Sequence, residues 1–261
     1  MESLSAPSRS DWLVERVLSK VPEVTLLFWV IKVLSTTVGE TGADYLAVHV
    51  GLGTGLTMAF MIGALVVVIA MQVRQRRFVS WLYWLTVVLV SVVGTQITDV
   101  LTDRLGVSLY VSTTAFSIAL AILFLVWYRV ERTVSISEID TRRREAFYWG
   151  AILLTFALGT AAGDLATEAL GLGFTVGAVV FTTLIALTAI AWRLGAGAVL
   201  CFWITYILTR PLGASLGDLL AQAREYGGLG LGTSVTSITF LVIICALVAW
   251  SSFKQPEWRK P

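Results

Sequence analysis

WVIKVLSTTVGETGAD, residues 29–44, contains a pattern that the chain repeats three more times. The pattern is a tryptophan, nine residues, a glycine, four residues and an aspartate, and it begins at Trp29. The later copies are Trp84/Gly94/Asp99, Trp149/Gly159/Asp164 and Trp203/Gly213/Asp218. Consecutive tryptophans are 55, 65 and 54 residues apart. A period of this size indicates repeated supersecondary units, so we predict four structural repeats.

The composition predicts that these repeats lie in a membrane. Of the 261 residues, 57% are hydrophobic and 14% are charged, and the mean hydropathy is +0.82. A typical soluble domain has about 25% charged residues, and apolar runs of about 18 residues or more predict membrane spans. We therefore predict an all-α polytopic membrane protein. Its eight transmembrane helices are expected at roughly 22–45, 53–73, 80–103, 108–128, 146–169, 174–193, 197–222 and 231–251.

The predicted spans form one membrane domain, residues 22–252, in which each repeat is a hairpin of two helices. The repeats are expected at about 22–77, 78–132, 143–196 and 197–252. Residues 1–21 are predicted to be a cytoplasmic amphipathic segment and residues 253–261 a cytoplasmic tail. Lysine and arginine are concentrated in the links between repeats and at both ends of the chain, which predicts that these parts are cytoplasmic. Repeats with an even number of spans share one orientation, so we expect four parallel repeats around a pseudo-symmetric axis along the membrane normal.

The segment PEVTLLFWVIKVLSTTVGETGADYL, residues 22–46, and its later copies resemble a bacterial family of multi-spanning membrane proteins known as a "repeat of unknown function". The resemblance extends from Pro22 to Trp250. It implies a bacterial inner-membrane protein built from two-span units. It implies a topology and no particular activity.

The aspartates and several polar residues are predicted to share one face of the first helix of each repeat. Positions 0, +4, +7, +8, +11 and +15 from the tryptophan lie within about 80° of one another on a helix. The aspartate is about 22 Å from its tryptophan along the axis, which places it in the outer half of the membrane, where an unpaired carboxylate is costly. We therefore expect one shared cavity, lined by Asp44, Asp99, Asp164 and Asp218, with Glu40 as an auxiliary carboxylate. The alternative is that each aspartate ends its helix and hydrogen-bonds loop amides at the outer surface.

Other polar residues are predicted to form the rest of a pathway through the membrane. The hydroxyl residues of the same face are Thr36, Thr37, Ser91, Thr95 and Thr160. Arg210 is expected near mid-membrane, where an unpaired charge is expensive. It should either pair with a carboxylate of another repeat or act as an internal cation that is displaced during transport. Lys32 either belongs to this pathway or extends its amine toward the membrane surface.

Carboxylate and hydroxyl oxygens are the ligands that Mg²⁺, Mn²⁺ and Ca²⁺ prefer. We therefore predict a secondary transporter, acting as an exporter, of a small cation, best suited to a divalent metal ion, with protons as a candidate counter-ion. The ring of carboxylates should hold protons when it is empty and release some when a cation binds. Three alternatives remain: a small organic cation as the substrate, a non-transporting assembly or lipid-binding protein, and an intramembrane aspartyl protease, for which a sequence signature is missing.

The sequence points away from several other classes of protein. His49 is the single histidine, and Cys201 and Cys245 lie in apolar runs, so a zinc site of histidines and cysteines is not expected. A net charge of +2 gives no basic field for nucleic acid, and no nucleotide-binding motif is present. We expect no enzyme activity and no cofactor. The expected partners are the lipid bilayer, the cation and further copies of the chain in an oligomer.

Overall fold

The computed structural model describes residues 20–48 and 54–253, and the regular structure in these ranges is helical. The described residues form eight long helices: α1 Leu26–Val48, α2 Thr54–Arg74, α3 Ser80–Asp99, α4 Leu109–Glu131, α5 Arg142–Asp164, α6 Gly173–Arg193, α7 Ala198–Ala221 and α8 Thr233–Phe253. The predicted amphipathic segment and the predicted tail fall almost entirely outside the described residues.

The helices identify the chain as a membrane protein. Seven of them, α2 to α8, are long and apolar enough to cross a membrane. The 23-residue helix α1 is equally long, but Lys32, Glu40 and Asp44 lower its hydropathy. Seven of the eight predicted spans are therefore candidate membrane-spanning helices, and α1 occupies the place of the first predicted span.

The four helices that carry the Trp-Gly-Asp pattern pack against one another in a closed cycle, which we call the inner ring. Helix α1 contacts α3, α3 contacts α5, α5 contacts α7, and α7 contacts α1. The glycine of each pattern lies where the next helix comes closest, so a Cβ atom there would collide with that helix. The facing pairs are Gly39 with Ser91, Gly94 with Phe156, Gly159 with Arg210, and Gly213 with Thr36. In every pair, position +10 of one repeat faces position +7 of the next.

A second set of equivalent contacts joins the same helices at their amino-terminal ends, which we call the tryptophan end of the inner ring. The aromatic residue before each tryptophan packs on the tryptophan of the next repeat. The ring centroids are separated by 5.5 Å for Phe28 and Trp84, 5.6 Å for Tyr83 and Trp149, 6.3 Å for Tyr148 and Trp203, and 5.6 Å for Phe202 and Trp29. The four repeats thus follow one another around the inner ring in chain order.

The outer helices α2, α4, α6 and α8 cover the inner ring with an offset of one repeat. Helix α2 packs mainly on α3, α4 on α5, α6 on α7, and α8 on α1. Each outer helix therefore packs mainly on the first helix of the following repeat, and much less on the first helix of its own repeat. Between 11% and 22% of residues in the outer spans are buried, against 56–67% in α3, α5 and α7, so the outer helices form the lipid-facing layer.

Candidate functional site

A cavity of about 320 Å³ opens at the carboxyl-terminal end of the inner ring, which we call the aspartate end. Each repeat contributes its predicted aspartate to the wall, and repeat one also contributes Glu40. The carboxylates brought together are Asp44, Asp99, Asp164, Asp218 and Glu40. Asp99 and Asp164 have helical backbone dihedrals, and their side chains make no capping hydrogen bond. The inner ring thus gathers all four predicted aspartates at one cavity.

Two further carboxylates lie at the mouth of this cavity. Helices α3 and α5 each continue as a π-helical turn directly after the aspartate, at Val100–Arg104 and Leu165–Ala169. These turns carry the exposed Asp103 and Glu168, which also line the cavity. Single π-helical turns are often found at functional sites. Neither residue was among the predicted site residues, although both lie at +19, one helical turn beyond the aspartate.

Gln96 supplies an uncharged acceptor to the cavity. The residue is 2% exposed, lines the cavity, and its Oε1 atom has no hydrogen-bond partner among the described residues. Leaving a buried amide oxygen without a donor costs about 1–3 kcal/mol. This oxygen is therefore suited to accept a hydrogen bond from water or from a ligand in the cavity. Gln96 was not among the predicted site residues, because it lies at +12, beside the face that carries the aspartates.

Arg210 lies beneath the carboxylates and joins all four repeats. Its side chain is completely buried, and Nη2 donates to Glu40 Oε2 at 2.6 Å and to Thr160 Oγ1 at 2.7 Å. Nη2 also contacts Thr95 Oγ1, and Nη1 donates to the Thr36 carbonyl at 3.4 Å. The prediction that Arg210 pairs with a carboxylate of another repeat is confirmed.

Lys32 is enclosed by aromatic rings inside the inner ring. Its Nζ atom lies 4.1 Å from the ring centroid of Phe156 and 4.2 Å from that of Tyr206. The residue is 0% exposed, and Nζ has no hydrogen-bond partner in the described part of the chain. Lys32 therefore does not extend toward the membrane surface. The Phe156 ring also faces the Arg210 guanidinium, at 5.8 Å, so one ring contacts both buried cations.

None of the predicted pathway residues lines the cavity, and three of them lie in the seams between inner helices. Thr36 Oγ1 donates to the Val33 carbonyl at 2.6 Å and to the Thr209 carbonyl at 3.2 Å. Thr37 Oγ1 donates to the Val33 carbonyl at 3.1 Å, and Ser91 packs against Gly39. Position +7 faces the neighbouring helix because the glycine at +10 lets the two backbones approach. Thr36 and Ser91 are therefore packing residues of the inner ring.

Aromatic side chains fill the tryptophan end of the inner ring. Tyr83, Tyr148 and Tyr206 are 0% exposed, and the hydroxyls of Tyr83 and Tyr148 are 2.6 Å apart. Trp84 and Trp149 are also buried. The acidic cavity therefore opens at the aspartate end, and Arg210, Lys32 and these aromatic residues lie between it and the opposite end.

The carboxylates do not form a compact set of metal ligands. Within residues 20–48 and 54–253, no group of three or more histidine, cysteine, aspartate or glutamate side chains is arranged to hold a metal ion. The five predicted carboxylates are instead distributed over the wall of the cavity.

The family model described as "Repeat of Unknown Function (DUF347)" matches the chain four times, at residues 27–78, 82–133, 147–195 and 201–256. The four matches fall on the four repeats predicted from the tryptophan spacing. Neither the curated proteins nor the solved structures include a match to the chain.

Proposed function

The chain belongs to the Repeat of Unknown Function (DUF347) family, and we propose that it is a secondary transporter that moves a small cation through the inner ring. One observation carries the proposal: four repeats contribute an equivalent aspartate to a single cavity. Carboxylates within a membrane are costly unless they serve a cation, a proton or a partner charge. Arg210 is already paired with Glu40, so its charge is not available to the four aspartates.

The proposal includes an arrangement in the membrane. We infer that the repeats are parallel and related by a pseudo-fourfold axis along the membrane normal, which agrees with the cyclic contacts at both levels of the inner ring. The lysine and arginine distribution supports cytoplasmic termini, and the family resemblance implies a bacterial inner membrane. The aspartate end then faces outward, and the described conformation corresponds to an outward-open state.

Arg210 is proposed to act as an internal cation that occupies the pathway between transport events. Its bond to Glu40 closes the floor of the cavity at 2.6 Å. A cation that reaches Glu40 competes with the guanidinium for the same carboxylate, so binding loosens the contacts that hold four repeats together. Transport then requires the aspartate end to close and the inner helices to separate at the tryptophan end. This is the alternating access of other transporters that are built from repeats. In an exporter, the outward-open cavity is the site of release.

The wide cavity favours a divalent cation that keeps part of its water shell. Mg²⁺ dehydrates reluctantly and is usually bound through one or two carboxylates with several waters retained. A volume of about 320 Å³ leaves room for such water, and Gln96 Oε1 can accept a hydrogen bond from it. Protons are the proposed counter-ion, because they neutralise the carboxylates after the cation leaves.

A small organic cation is the second candidate substrate. The cavity volume falls in the range of small-molecule sites, about 300–1,000 Å³, and an ammonium group needs acceptors such as Gln96 Oε1 in addition to negative charge. The absence of a compact metal-binding group among the described residues favours this candidate.

A flux assay in proteoliposomes tests the proposal. Purified protein would be reconstituted, and uptake of Mg²⁺, Mn²⁺, Ca²⁺ and a set of small alkylammonium ions would be compared with empty liposomes. The control is a folded variant in which Asp44, Asp99, Asp164 and Asp218 are all changed to asparagine. We expect at least one cation to cross with the wild type and not with the variant. Flux no greater than in empty liposomes would favour the non-transporting alternative, and equal flux above that level in both proteins would show that the aspartates are not the cation site.

A further inference from the structure

A second cavity, of about 830 Å³, lies on the outside of the helix bundle near the tryptophan end. It runs between α1, α6 and α7 and reaches the link between α4 and α5, and it shares no lining residue with the acidic cavity. We call it the outer groove. It therefore lies apart from the site of the proposed function and needs its own explanation.

The wall of the outer groove that α7 forms is apolar and long enough to span one leaflet of the bilayer. On α7 the lining runs from Ala198 to Leu212, and 14 residues of helix rise about 21 Å. One leaflet contributes about 15 Å of a hydrocarbon core of about 30 Å. The opposite wall includes Val33 of α1 and Ile185 of α6. A lipid chain extended across one leaflet matches both the length and the character of this wall.

One end of the outer groove is polar and positively charged. Arg193 is the last residue of α6 and lies beside Trp192, while Ser135 and Ser137 approach from the link between α4 and α5. Arg193 is exposed, and none of the ion pairs among the described residues involves it. Tryptophan is favoured at the membrane–water interface, and basic pockets between membrane helices bind lipid head groups.

We propose that the outer groove binds one anionic phospholipid from the leaflet at the tryptophan end. Its phosphate contacts Arg193 and the two serine hydroxyls, and an acyl chain lies along α7. Charge complementarity selects this occupant, because an apolar partner helix would leave Arg193 beside it without a counter-charge. The inference goes beyond the proposed function, since it concerns a separate site and holds whether or not the acidic cavity transports a cation.

The lipid would contact the seam between the first and last helices of the inner ring. The floor of the outer groove includes Thr209 of α7 and Val33 of α1, and the Thr209 carbonyl accepts a hydrogen bond from Thr36 at 3.2 Å. Helices α1 and α7 are the most distant in sequence among the inner helices, so their seam closes the ring. A bound lipid buries more apolar surface across this seam and should stabilise it.

Native mass spectrometry of the detergent-solubilised protein tests the inference. The protein would be incubated with phosphatidylglycerol or phosphatidylcholine of the same chain length, and retained lipid would be counted. We expect one phosphatidylglycerol to be retained at least tenfold more than phosphatidylcholine, and Arg193→Ala to abolish this preference. Arg74→Ala is the matched control, because Arg74 ends the outer helix α2 at the equivalent place and does not line the outer groove.

A second pair of variants tests the apolar wall without changing charge. Ala189→Phe introduces a ring on a residue that lines the outer groove, whereas Ala186→Phe introduces one on an exposed α6 residue that does not line it. We expect loss of the retained lipid with Ala189→Phe and wild-type retention with Ala186→Phe. Equal retention of both lipids by the wild type would contradict the proposal, as would unchanged retention in Arg193→Ala and Ala189→Phe.

Discussion

Arg210 of repeat four and Glu40 of repeat one form an ion pair of 2.6 Å at the floor of the acidic cavity, with side-chain exposures of 0% and 8%. Neither residue follows the repeat pattern. The positions equivalent to Arg210 hold Thr36, Ser91 and Phe156, and those equivalent to Glu40 hold Thr95, Thr160 and Ala214. One buried ion pair therefore breaks an otherwise fourfold arrangement. It does so where the first and last inner helices meet.

Arg210→Ala should destabilise the protein by about 3–5 kcal/mol, because it leaves the Glu40 carboxylate buried without its partner. Arg210→Lys should restore only part of this loss, since an ammonium group cannot reproduce the planar fork of donors. Unfolding of the purified protein in detergent measures the difference. Arg143→Ala is the control, because the Arg143 side chain is 67% exposed, and exposed pairs contribute about 0–1 kcal/mol. Equal stability of wild type and Arg210→Ala would show that the ion pair does not contribute to the stability of the fold.

Gly213→Ala should destabilise the inner ring, because the new methyl group would collide with Thr36 on α1. Overpacking of this kind costs about 1–3 kcal/mol. Gly63→Ala in α2 is the matched control, since a Cβ atom there meets no other atom within 4 Å; it should stabilise the helix by up to about 1 kcal/mol. Unfolding in detergent, as for the Arg210 variants, measures the stability of Gly213→Ala and Gly63→Ala. Equal stability of the two variants would contradict the close approach of α1 and α7 at Gly213.

The proposed orientation can be tested with single cysteines in a background that lacks Cys201 and Cys245. Cysteines at Gln75, Ser137 or Ala196 should be shielded from a membrane-impermeant thiol reagent in intact cells, because the basic links are predicted to be cytoplasmic. A cysteine at Leu172, in a link within a repeat, should react. Permeabilised cells provide the control, in which every position should be labelled. Labelling of the first three in intact cells would reverse the orientation.

Proton competition should appear as a pH dependence of cation flux. Lowering the pH protonates carboxylates, and a neutral carboxylic acid no longer attracts a cation, so flux should fall as the pH falls. The control is a proton ionophore, which removes any pH gradient while leaving the pH of the cavity unchanged. Flux that rises steadily on acidification would contradict competition at the aspartates.

The spacing of tryptophan, glycine and aspartate was sufficient to predict the repeats, the shared cavity and the pairing of Arg210. Those features depend on which face of a helix each residue occupies, and the helical period determines that face. The offset of the outer helices was not predictable, because α2, α4, α6 and α8 are apolar on all sides and carry no marker of their neighbour. Asp103 and Glu168 were missed because a π-helical turn depends on local packing that the sequence pattern does not encode.

The central claim is that the four aspartates form one cation site, and single asparagine variants in proteoliposomes test it most directly. We expect Asp44→Asn, Asp99→Asn, Asp164→Asn and Asp218→Asn each to reduce cation flux severalfold. The largest loss is expected at Asp44, since Glu40 lies one turn away on the same helix. Asp140→Asn, in the link before α5, should transport like the wild type. Normal flux in all four single variants would contradict the account.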